Sequence, residues 1–308
     1  MNIRVLANPK AGCGAARARA LRVVKALERV GAGAEMVETR GSDDAARLVR
    51  EAHADRVECV AIVGGDGTLN EAAQAYIDPQ GRPVPGPELA LIPSGTGGDY
   101  GRTLGFSSSI EDAVSRLWSR EARPVDLGVL EFSSVDGARV CRAFANILSF
   151  GLSGLTDLLA QRVPVWVGGR NRYLLAGLWA LARYRNVPVR VCVDGELLCE
   201  GPALTVAIAH GQYFGGGMRI APNADPSDGV FDVVALADLS KRESLALLGH
   251  LYRGSHIGRP KVHATRGQEV VAEPLGESSE VMIDLDGETP GRLPLVARVL
   301  AAALRVRV

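Results

Sequence analysis

The sequence carries no excess charge of either sign. Its 308 residues include 35 Lys and Arg residues and 35 Asp and Glu residues, which gives a formal net charge of zero. Such a balance provides no overall electrostatic field to attract nucleic acids or anionic membranes. We therefore expect no nucleic-acid partner, and any contact with a membrane has to come from a local patch of the surface.

Cysteines are few and irregularly spaced. There are five of them, an odd number, and no pair has the CxxC spacing of a zinc site or redox motif. They are Cys13, Cys59, Cys141, Cys192 and Cys199. This usage predicts reduced thiols rather than a disulfide framework or a zinc site.

Long hydrophobic runs are missing as well. The longest, residues 174–182, is less than half of the roughly 20 residues that a membrane-spanning helix needs. Near the beginning of the sequence, Pro9 and Lys10 come too early for the apolar core of a signal peptide. These features predict a cytoplasmic protein.

The residues that are present suffice for a folded core. The sequence is 47% hydrophobic and 23% charged, and 308 residues are enough for one large domain or two ordinary ones. Strand signals at 3–7, 34–39, 60–63 and 89–92 alternate with helix signals at 15–30, 42–53, after Thr68 and at 110–119. This alternation predicts an α/β domain with a parallel sheet, which binds ligands at the carboxyl ends of its strands.

Residues 60–71, VAIVGGDGTLNE, are the most informative stretch. Its four apolar residues suit a strand buried on both faces, and its glycines allow a ligand to approach the backbone closely. Thr68 can cap a helix whose N-terminus faces a phosphate, and Asp66 is placed to hold Mg²⁺ or order a nucleotide. The alternative is a glycine-rich turn with no ligand.

Two further loops of this kind, at 8–14 and 94–99, fall on the same predicted sheet edge. The motifs NPKAG, GGDGTLNE and PSGTGGDYGR, in this order, resemble the nucleotide-binding domain of the diacylglycerol kinase family. These soluble lipid kinases include sphingosine and ceramide kinases and are similar in fold to NAD kinases, which share the GGDGT element. The resemblance covers essentially the whole chain and implies an NAD kinase-like N-terminal domain, ATP and Mg²⁺.

The resemblance also implies which residues contact ATP. They are Asn8, Pro9, Lys10, Ala11, Gly12, Thr39, Gly64, Gly65, Asp66, Gly67, Thr68, Leu69, Asn70, Thr96 and Asp99. It implies that Asp66, Asp99 and Asp126 organise Mg²⁺, with Asp66 counted among the catalytic residues. Gly98 stands where the family usually has asparagine, so one side-chain contact is missing. Taken without the resemblance, Asp99 could cap a helix and Asp126 could sit in a strand-end turn.

After Pro124 the pattern changes to short strands joined by turns. The predicted strands are 125–132, 141–149, 189–193, 197–199, 204–209, 230–236, 269–272 and 281–285. They predict a mostly antiparallel β sandwich or open barrel. We expect a nucleotide-binding catalytic domain at 1–125 and a β-rich lipid-substrate domain at 126–294. The resemblance implies that the tail, 295–308, returns to the first domain.

Residues 221–229, APNADPSDG, could offer oxygen ligands to a hard cation or form a solvated turn. The resemblance implies a structural Mg²⁺ site, with Asp228 as a side-chain ligand and the carbonyl groups of Asp225 and Val230 nearby.

Residues 284–288, DLDGE, could supply a base that takes the proton of a lipid hydroxyl as it attacks the γ-phosphate. Asp-Gly is also a common hairpin turn, and the same three residues occur at 194–196. The pattern alone does not choose between the two copies. The resemblance assigns the catalytic base to the later copy, as Asp286 or Glu288.

Residues 162–190 mix leucine and aromatic residues, including Trp166, with six arginines. This mixture suits a surface that meets anionic lipid headgroups, and an amphipathic helix packed on the core with a basic outer face fits as well. Residues 211–219, GQYFGGGMR, could form a mobile lip beside a site or an ordinary loop.

We therefore expect a lipid kinase that transfers the γ-phosphoryl group of ATP to a lipid alcohol. Diacylglycerol, giving phosphatidic acid, is the first expected acceptor, and a sphingoid base is the second. Peripheral contact with the inner face of the membrane is expected, and a homodimer is a further candidate assembly. The alternatives are a soluble-substrate kinase of the NAD kinase type and a non-catalytic nucleotide or lipid sensor, which Gly98 would suit.

Overall fold

The structure, a computed structural model, describes residues 1–94, 98–107, 109–119, 121–134, 136–160, 162–164, 167, 169–276 and 280–308. Among these residues, no helix combines the length and the apolar character needed to cross a bilayer.

The N-terminal lobe, residues 1–119, is a parallel sheet with helices on both faces. Its strands are β1 (Asn2–Ala7), β2 (Gly33–Glu38), β3 (Cys59–Gly64) and β4 (Glu88–Pro93), and its helices are α1 (Ala15–Arg29), α2 (Asp44–Ala54), α3 (Asp66–Ala73), α4 (Asp99–Thr103) and α5 (Ile110–Ser119). The strands lie in the order β2-β1-β3-β4. Every residue of β3 is buried, because α2 and α3 pack on one face of the sheet and α1 and α5 on the other. This burial explains the unbroken apolar run of the motif strand.

The C-terminal lobe, residues 122–290, is built mainly from antiparallel strands. They are β5 (Ala122–Ser134), β6 (Arg139–Phe144), β7 (Ile147–Gly151), β8 (Val187–Val193), β9 (Glu196–Ala209), β10 (Phe231–Ala237), β11 (Val262–Gly267), β12 (Glu269–Pro274) and β13 (Ile283–Leu285). Helices α6 (Leu152–Ala160), α7 (Gly169–Arg183) and α8 (Lys241–Arg253) accompany them. The first half of β9 pairs with β8 and its second half with β7 and β10, so the sheet divides into two layers around Phe144, Phe150 and Phe231.

The last strand, β14 (Gly291–Arg307), joins the two lobes. It pairs with β5 along most of its length and with β12 near its beginning. Near its end, Val306 lies beside Leu89 of β4 in a parallel pairing. One continuous hydrogen-bonded sheet therefore runs through both lobes.

The side chain of Gln74 makes a second link between the lobes. Its Nε2 donates to the carbonyl oxygen of Ala143 at 2.8 Å, and its Oε1 accepts from the Ala143 N–H at 2.9 Å. Gln74 follows α3 directly, and Ala143 belongs to β6. This pair of bonds holds the helix of the glycine motif against the C-terminal lobe.

Most predicted elements are present, with three differences. The strand predicted at 141–149 is two strands, β6 and β7, separated at Ala145 and Asn146. The strands predicted at 197–199 and 204–209 are one strand, β9, because Gly201 continues it at a φ of 124°. Thr68 does not cap α3, which already begins at Asp66; the Thr68 hydroxyl instead accepts from Asn8 Nδ2 at 3.1 Å.

Replacing Gln74 with alanine removes both hydrogen bonds to Ala143. We expect the free energy of unfolding to fall by about 1–3 kcal/mol, because partly buried backbone groups lose their partners. Urea denaturation measures the change. The matched control is Gln80→Ala on the exposed loop after α3, which should change the free energy by less than about 0.5 kcal/mol. Equal effects of the two substitutions would contradict the role of Gln74 between the lobes.

Candidate active site

A cavity of about 360 Å³ lies between the lobes. Acidic residues from both lobes line it: Asp66, Asp99, Asp157, Asp284 and Asp286. The rest of its wall is largely apolar and comes mainly from α6, α7, α8 and the 214–220 segment. A cavity with both acidic and apolar lining can hold a molecule that has a polar head and an apolar body.

Asp66 connects the glycine motif to α4. Its carboxylate accepts the N–H of Asp99 at 2.8 Å and that of Tyr100 at 3.2 Å, the first two residues of α4. Burial, and after it the charge of the neighbouring Asp99 carboxylate, raise the pKa of Asp66 to about 6 against the lowering effect of these N–H groups. Two carboxylates that repel each other in a cavity favour the binding of a cation.

Asp99 connects α4 to the C-terminal lobe. Its carboxylate accepts the N–H of Gly216 at 2.8 Å and pairs with the Arg102 guanidinium. Burial raises the pKa of Asp99, although both of these partners lower it. Through this contact the 211–219 segment lies beside the cavity. Gly98 precedes α4 at a φ of 81°, a conformation that costs glycine little.

Asp286 lies in a two-residue turn after β13. Asp286 and Gly287 have φ values of 50° and 90°, and Leu285 and Glu288 exchange backbone hydrogen bonds of 2.8 and 3.1 Å. These values are those of a type I′ hairpin turn. The Asp286 carboxylate accepts the N–H of Ile147 at 3.1 Å. Burial raises its pKa well above the usual value for aspartate, and the charges of Asp66 and Asp284 add to this effect.

The second copy of the tripeptide forms the same turn in a different environment. Asp194 and Gly195 have φ values of 49° and 81°. Asp194 is exposed, and its carboxylate accepts the N–H groups of Gln268 and Glu269 at 2.9 and 2.8 Å. It therefore secures the neighbouring strand rather than lining the cavity.

Glu288 differs from Asp286 in its surroundings. Its side chain is 52% exposed and lies 3.6 Å from the Arg142 guanidinium. It is not among the residues that line the cavity.

The residues predicted to contact ATP lie at the carboxyl edge of the parallel sheet. Asn8, Thr39 and Gly64 end or follow β1, β2 and β3, and Asn8 Oδ1 accepts the N–H of Lys10 at 3.0 Å. A Cβ on Gly64 would come within 2.7 Å of the Thr68 hydroxyl, so this position requires glycine. Thr68, Leu69 and Asn70 are buried. The remaining members of the predicted set that the structure describes, Pro9, Ala11, Gly12, Gly65 and Gly67, belong to the same turns, and Thr96 lies outside the described residues.

Asp126 is held by backbone groups from two other segments. Its carboxylate accepts the N–H groups of Gly229 and Ala302, both at 2.7 Å, and its own N–H donates to Pro226. It lies beside the 221–229 loop and is not part of the cavity lining.

The acidic side chains of the 221–229 loop already have protein partners. Asp225 accepts from Ser227, and Asp228 pairs with the Arg266 guanidinium and accepts the Val230 N–H at 3.2 Å. Within the part of the chain that the structure describes, no three His, Cys, Asp or Glu side chains are grouped to hold a metal ion. Mg²⁺ usually takes only one or two carboxylates together with phosphates and waters. Asp66 and Asp99 can offer the carboxylates, and a nucleotide can offer the phosphates.

Helix α7 buries small residues and exposes large apolar ones. Its alanines Ala176 and Ala180 are fully buried against α6, whereas Leu174, Leu175 and Leu178 are 37%, 49% and 40% exposed. Of the two interpretations of 162–190, the packed helix with a basic outer face does not describe this face, since leucines occupy the outside. Trp166 lies outside the described residues.

The sequence analysis missed Asp157, an acidic residue of the cavity. It lies in the otherwise uncharged helix α6. A single acid in an apolar helix was the available signal for Asp157, because an acid rarely lies on a buried face without a function or a partner.

Comparison with known proteins agrees with this geometry. Residues 2–130 match the diacylglycerol kinase catalytic domain, and residues 146–308 match the YegS C-terminal NAD kinase beta sandwich-like domain. A diacylglycerol kinase of Mycobacterium tuberculosis is 31% identical over 313 residues, covering 99% of this chain and 94% of that protein.

Solved structures show the same fold. A candidate diacylglycerol kinase from Bacillus anthracis aligns with a TM-score of 0.78 at 23% identity, covering 99% of this chain and 97% of the other. An NAD kinase from Archaeoglobus fulgidus in complex with ATP aligns with a TM-score of 0.51 at 13% identity, covering 99% and 92%. The predicted fold class, an NAD kinase-like α/β domain followed by a β-rich domain, is confirmed. By its catalytic and C-terminal domains, the chain belongs to the diacylglycerol kinase family of lipid kinases.

Proposed function

We propose that this kinase transfers the γ-phosphoryl group of ATP to the hydroxyl of a lipid alcohol, with diacylglycerol as the acceptor expected from its relatives. One observation carries the proposal: a single cavity joins Asp66 and Asp99 of one lobe, Asp286 of the other and a largely apolar wall. The test is transfer of label from γ-labelled ATP to lipids in mixed micelles with Mg²⁺. Absence of labelled lipid with diacylglycerol, monoacylglycerol, ceramide and a sphingoid base would overturn the proposal.

ATP would be held along the carboxyl edge of the parallel sheet. Asn8, Lys10, Thr39 and the turn before α3 meet at this edge, where backbone N–H groups can receive phosphate oxygens. The phosphates would then lie next to Asp66, which lines the cavity.

Asp66 and Asp99 fit a divalent cation, because each is buried and the charge of Asp99 raises the affinity of Asp66 for positive charge. Mg²⁺, when bound, neutralises charge on the phosphates during transfer. Asp126, Asp225, Asp228 and Val230 form a separate group around the 221–229 loop, and we propose that they serve loop structure with or without a cation.

Asp286 is the base that the geometry supports over Glu288. It faces the cavity from a turn that Ile147 holds, whereas Glu288 is largely exposed and pairs with Arg142. Burial raises the pKa of Asp286 above the usual value for aspartate, so its carboxylate binds a proton more strongly than an exposed carboxylate does. Asp286 would take the hydroxyl proton of the lipid as its oxygen attacks.

Asp286→Asn should lower kcat by about 10²–10⁴-fold, because the amide cannot accept the proton. Lipid phosphorylation at saturating ATP measures the loss. Asp194→Asn is the matched control, since it alters the same residue of the same turn outside the cavity, and its kcat should stay within about twofold of the wild type. Glu288→Gln should also stay near the wild type. A larger loss for Glu288→Gln than for Asp286→Asn would reverse the assignment.

The Mg²⁺ requirement should depend on pH. A pKa of about 6 for Asp66 means that protons compete with the cation as the pH falls through this value. Between about pH 7.5 and about pH 5.5, the Mg²⁺ concentration for half-maximal ATP binding should rise about fourfold, because roughly a quarter of Asp66 stays ionised at the lower pH. Calorimetry of ATP binding at graded Mg²⁺ measures it. An unchanged requirement would remove Asp66 from the metal site.

We propose peripheral contact with the inner face of the membrane through α7, α8 and α6, which packs against α7 and carries the exposed Leu158. Leu174, Leu178 and Leu245 line the cavity and are also 37%, 40% and 52% exposed, so they form the rim of its apolar part. Exposed arginines at 162, 183 and 185 lie in the same region and suit anionic headgroups. A lipid could then enter the cavity directly from the bilayer.

Replacing Leu158 and Leu175 by serine tests this contact without altering the cavity, since both are exposed and neither lines it. Affinity for phosphatidylcholine–phosphatidylglycerol vesicles should fall by at least about tenfold, because two leucines lose their burial in the bilayer. The matched control replaces Leu21 and Leu197, which are 42% and 59% exposed elsewhere. Equal vesicle affinity of the two double variants would contradict the docking face.

A further inference from the structure

The hydroxyl of Tyr173 lies beside the turn that carries Asp286. Tyr173 belongs to α7, is half-buried and lines the cavity. A Cβ on Gly287, the residue after Asp286, would lie 3.3 Å from the Tyr173 hydroxyl oxygen. Neither the proposed base nor the acids that fit a cation make use of this hydroxyl.

The Tyr173 hydroxyl keeps a hydrogen that it can donate. Burial, and after it the charges of Asp157 and Asp284, raise the pKa of Tyr173 to about 12, so the phenol stays protonated at neutral pH. Among the residues that the structure describes, none accepts a hydrogen bond from it. The cavity therefore offers this donor to a bound molecule.

Other polar side chains of the cavity wall are acceptors or already donate elsewhere. Three further hydroxyls donate to backbone carbonyl groups at 2.9 Å, those of Thr156, Thr205 and Ser244. The carboxyl groups of Asp157 and Asp284 are hydrogen-bonded to each other. Compared with these side chains, Tyr173 is the one with a hydrogen left for a ligand that can only accept hydrogen bonds.

Diacylglycerol carries such an acceptor next to its reacting hydroxyl. Its ester at position 2 of the glycerol begins on the carbon beside the one that bears the hydroxyl, and an ester carbonyl accepts hydrogen bonds but cannot donate them. With the hydroxyl at Asp286, this carbonyl lies near the next residue of the turn, Gly287, where the Tyr173 hydroxyl is found. Leu174, which follows Tyr173, is 37% exposed at the cavity rim, so α7 places the donor where the ester groups meet the apolar wall.

Building on the proposed lipid kinase function, we propose that the Tyr173 hydroxyl donates a hydrogen bond to the ester carbonyl at position 2 of diacylglycerol. A carbonyl that leaves water for a cavity costs free energy unless it finds a donor there. This bond therefore selects acceptors with a carbonyl beside the reacting hydroxyl over those that have an ether there. Tyr173 is thus a specificity residue, which neither takes the proton nor binds the cation.

The test compares dioleoylglycerol with an analogue in which an ether replaces the ester at position 2, so that only this carbonyl is missing. For the wild type we expect kcat/KM to be about fivefold to fiftyfold higher with the diester, because the ether offers the phenol no carbonyl. Tyr173→Phe removes the hydroxyl alone, and the ratio should fall to about one. Tyr184→Phe is the matched control, since it makes the same change at a buried hydroxyl outside the cavity lining, and its ratio should equal that of the wild type.

Calorimetry of the binding of both lipids from mixed micelles accompanies the kinetics and separates the two proposals. If both lipids are phosphorylated, a ratio near one for the wild type, or a ratio that survives in Tyr173→Phe, would overturn the role of Tyr173 and leave the kinase function standing. A preference that Tyr184→Phe abolishes as well would also overturn it, because the effect would not depend on the cavity hydroxyl. Tighter binding of the diester that Tyr173→Phe abolishes, without phosphorylation of either lipid, would uphold the selection by Tyr173 and refute the kinase function.

Discussion

The site depends on backbone N–H groups that hold buried carboxylates. Asp66 accepts from α4, Asp99 from Gly216, and Asp286 from Ile147. A carboxylate that leaves water loses hydration, and these N–H groups recover part of that loss. Because Asp99 and Gly216 belong to different lobes, this acidic cluster forms only when the lobes are docked, which β14 and Gln74 ensure.

The same cavity combines this charge with an apolar wall. Helix α6 and the β13 hairpin contribute acids to the cavity, and α7 and α8 contribute leucines. Such a cavity meets two requirements of a lipid kinase in different places. The acids can supply a base for the hydroxyl, and the apolar wall can bury the acyl chain away from water. The unusual face of α7, with alanines inside and leucines outside, supplies the apolar rim at the surface.

Sequence reasoning recovered the parallel sheet and its ligand edge, because apolar runs, glycine turns and helix periodicity are local signals. It left two interpretations of 162–190 open, since an apolar stripe shows that a helix has two faces but not which one meets the core. It also missed the pairing of Asp157 with Asp284, residues 127 positions apart in the numbering of the chain, because no local pattern links them.

By itself, the sequence determined which backbone conformations were available: strands, helices, and the identical Asp-Gly turns at 194 and 286. Only the tertiary structure decided which of the two turns places its aspartate where it could act as a base. Strand β13 pairs with β7, which brings Asp286 to Ile147 and into the cavity, while Asp194 remains exposed and bonded to Gln268 and Glu269. The reason is that pKa and reactivity follow from burial and neighbouring charges, and these come from residues distant in the chain.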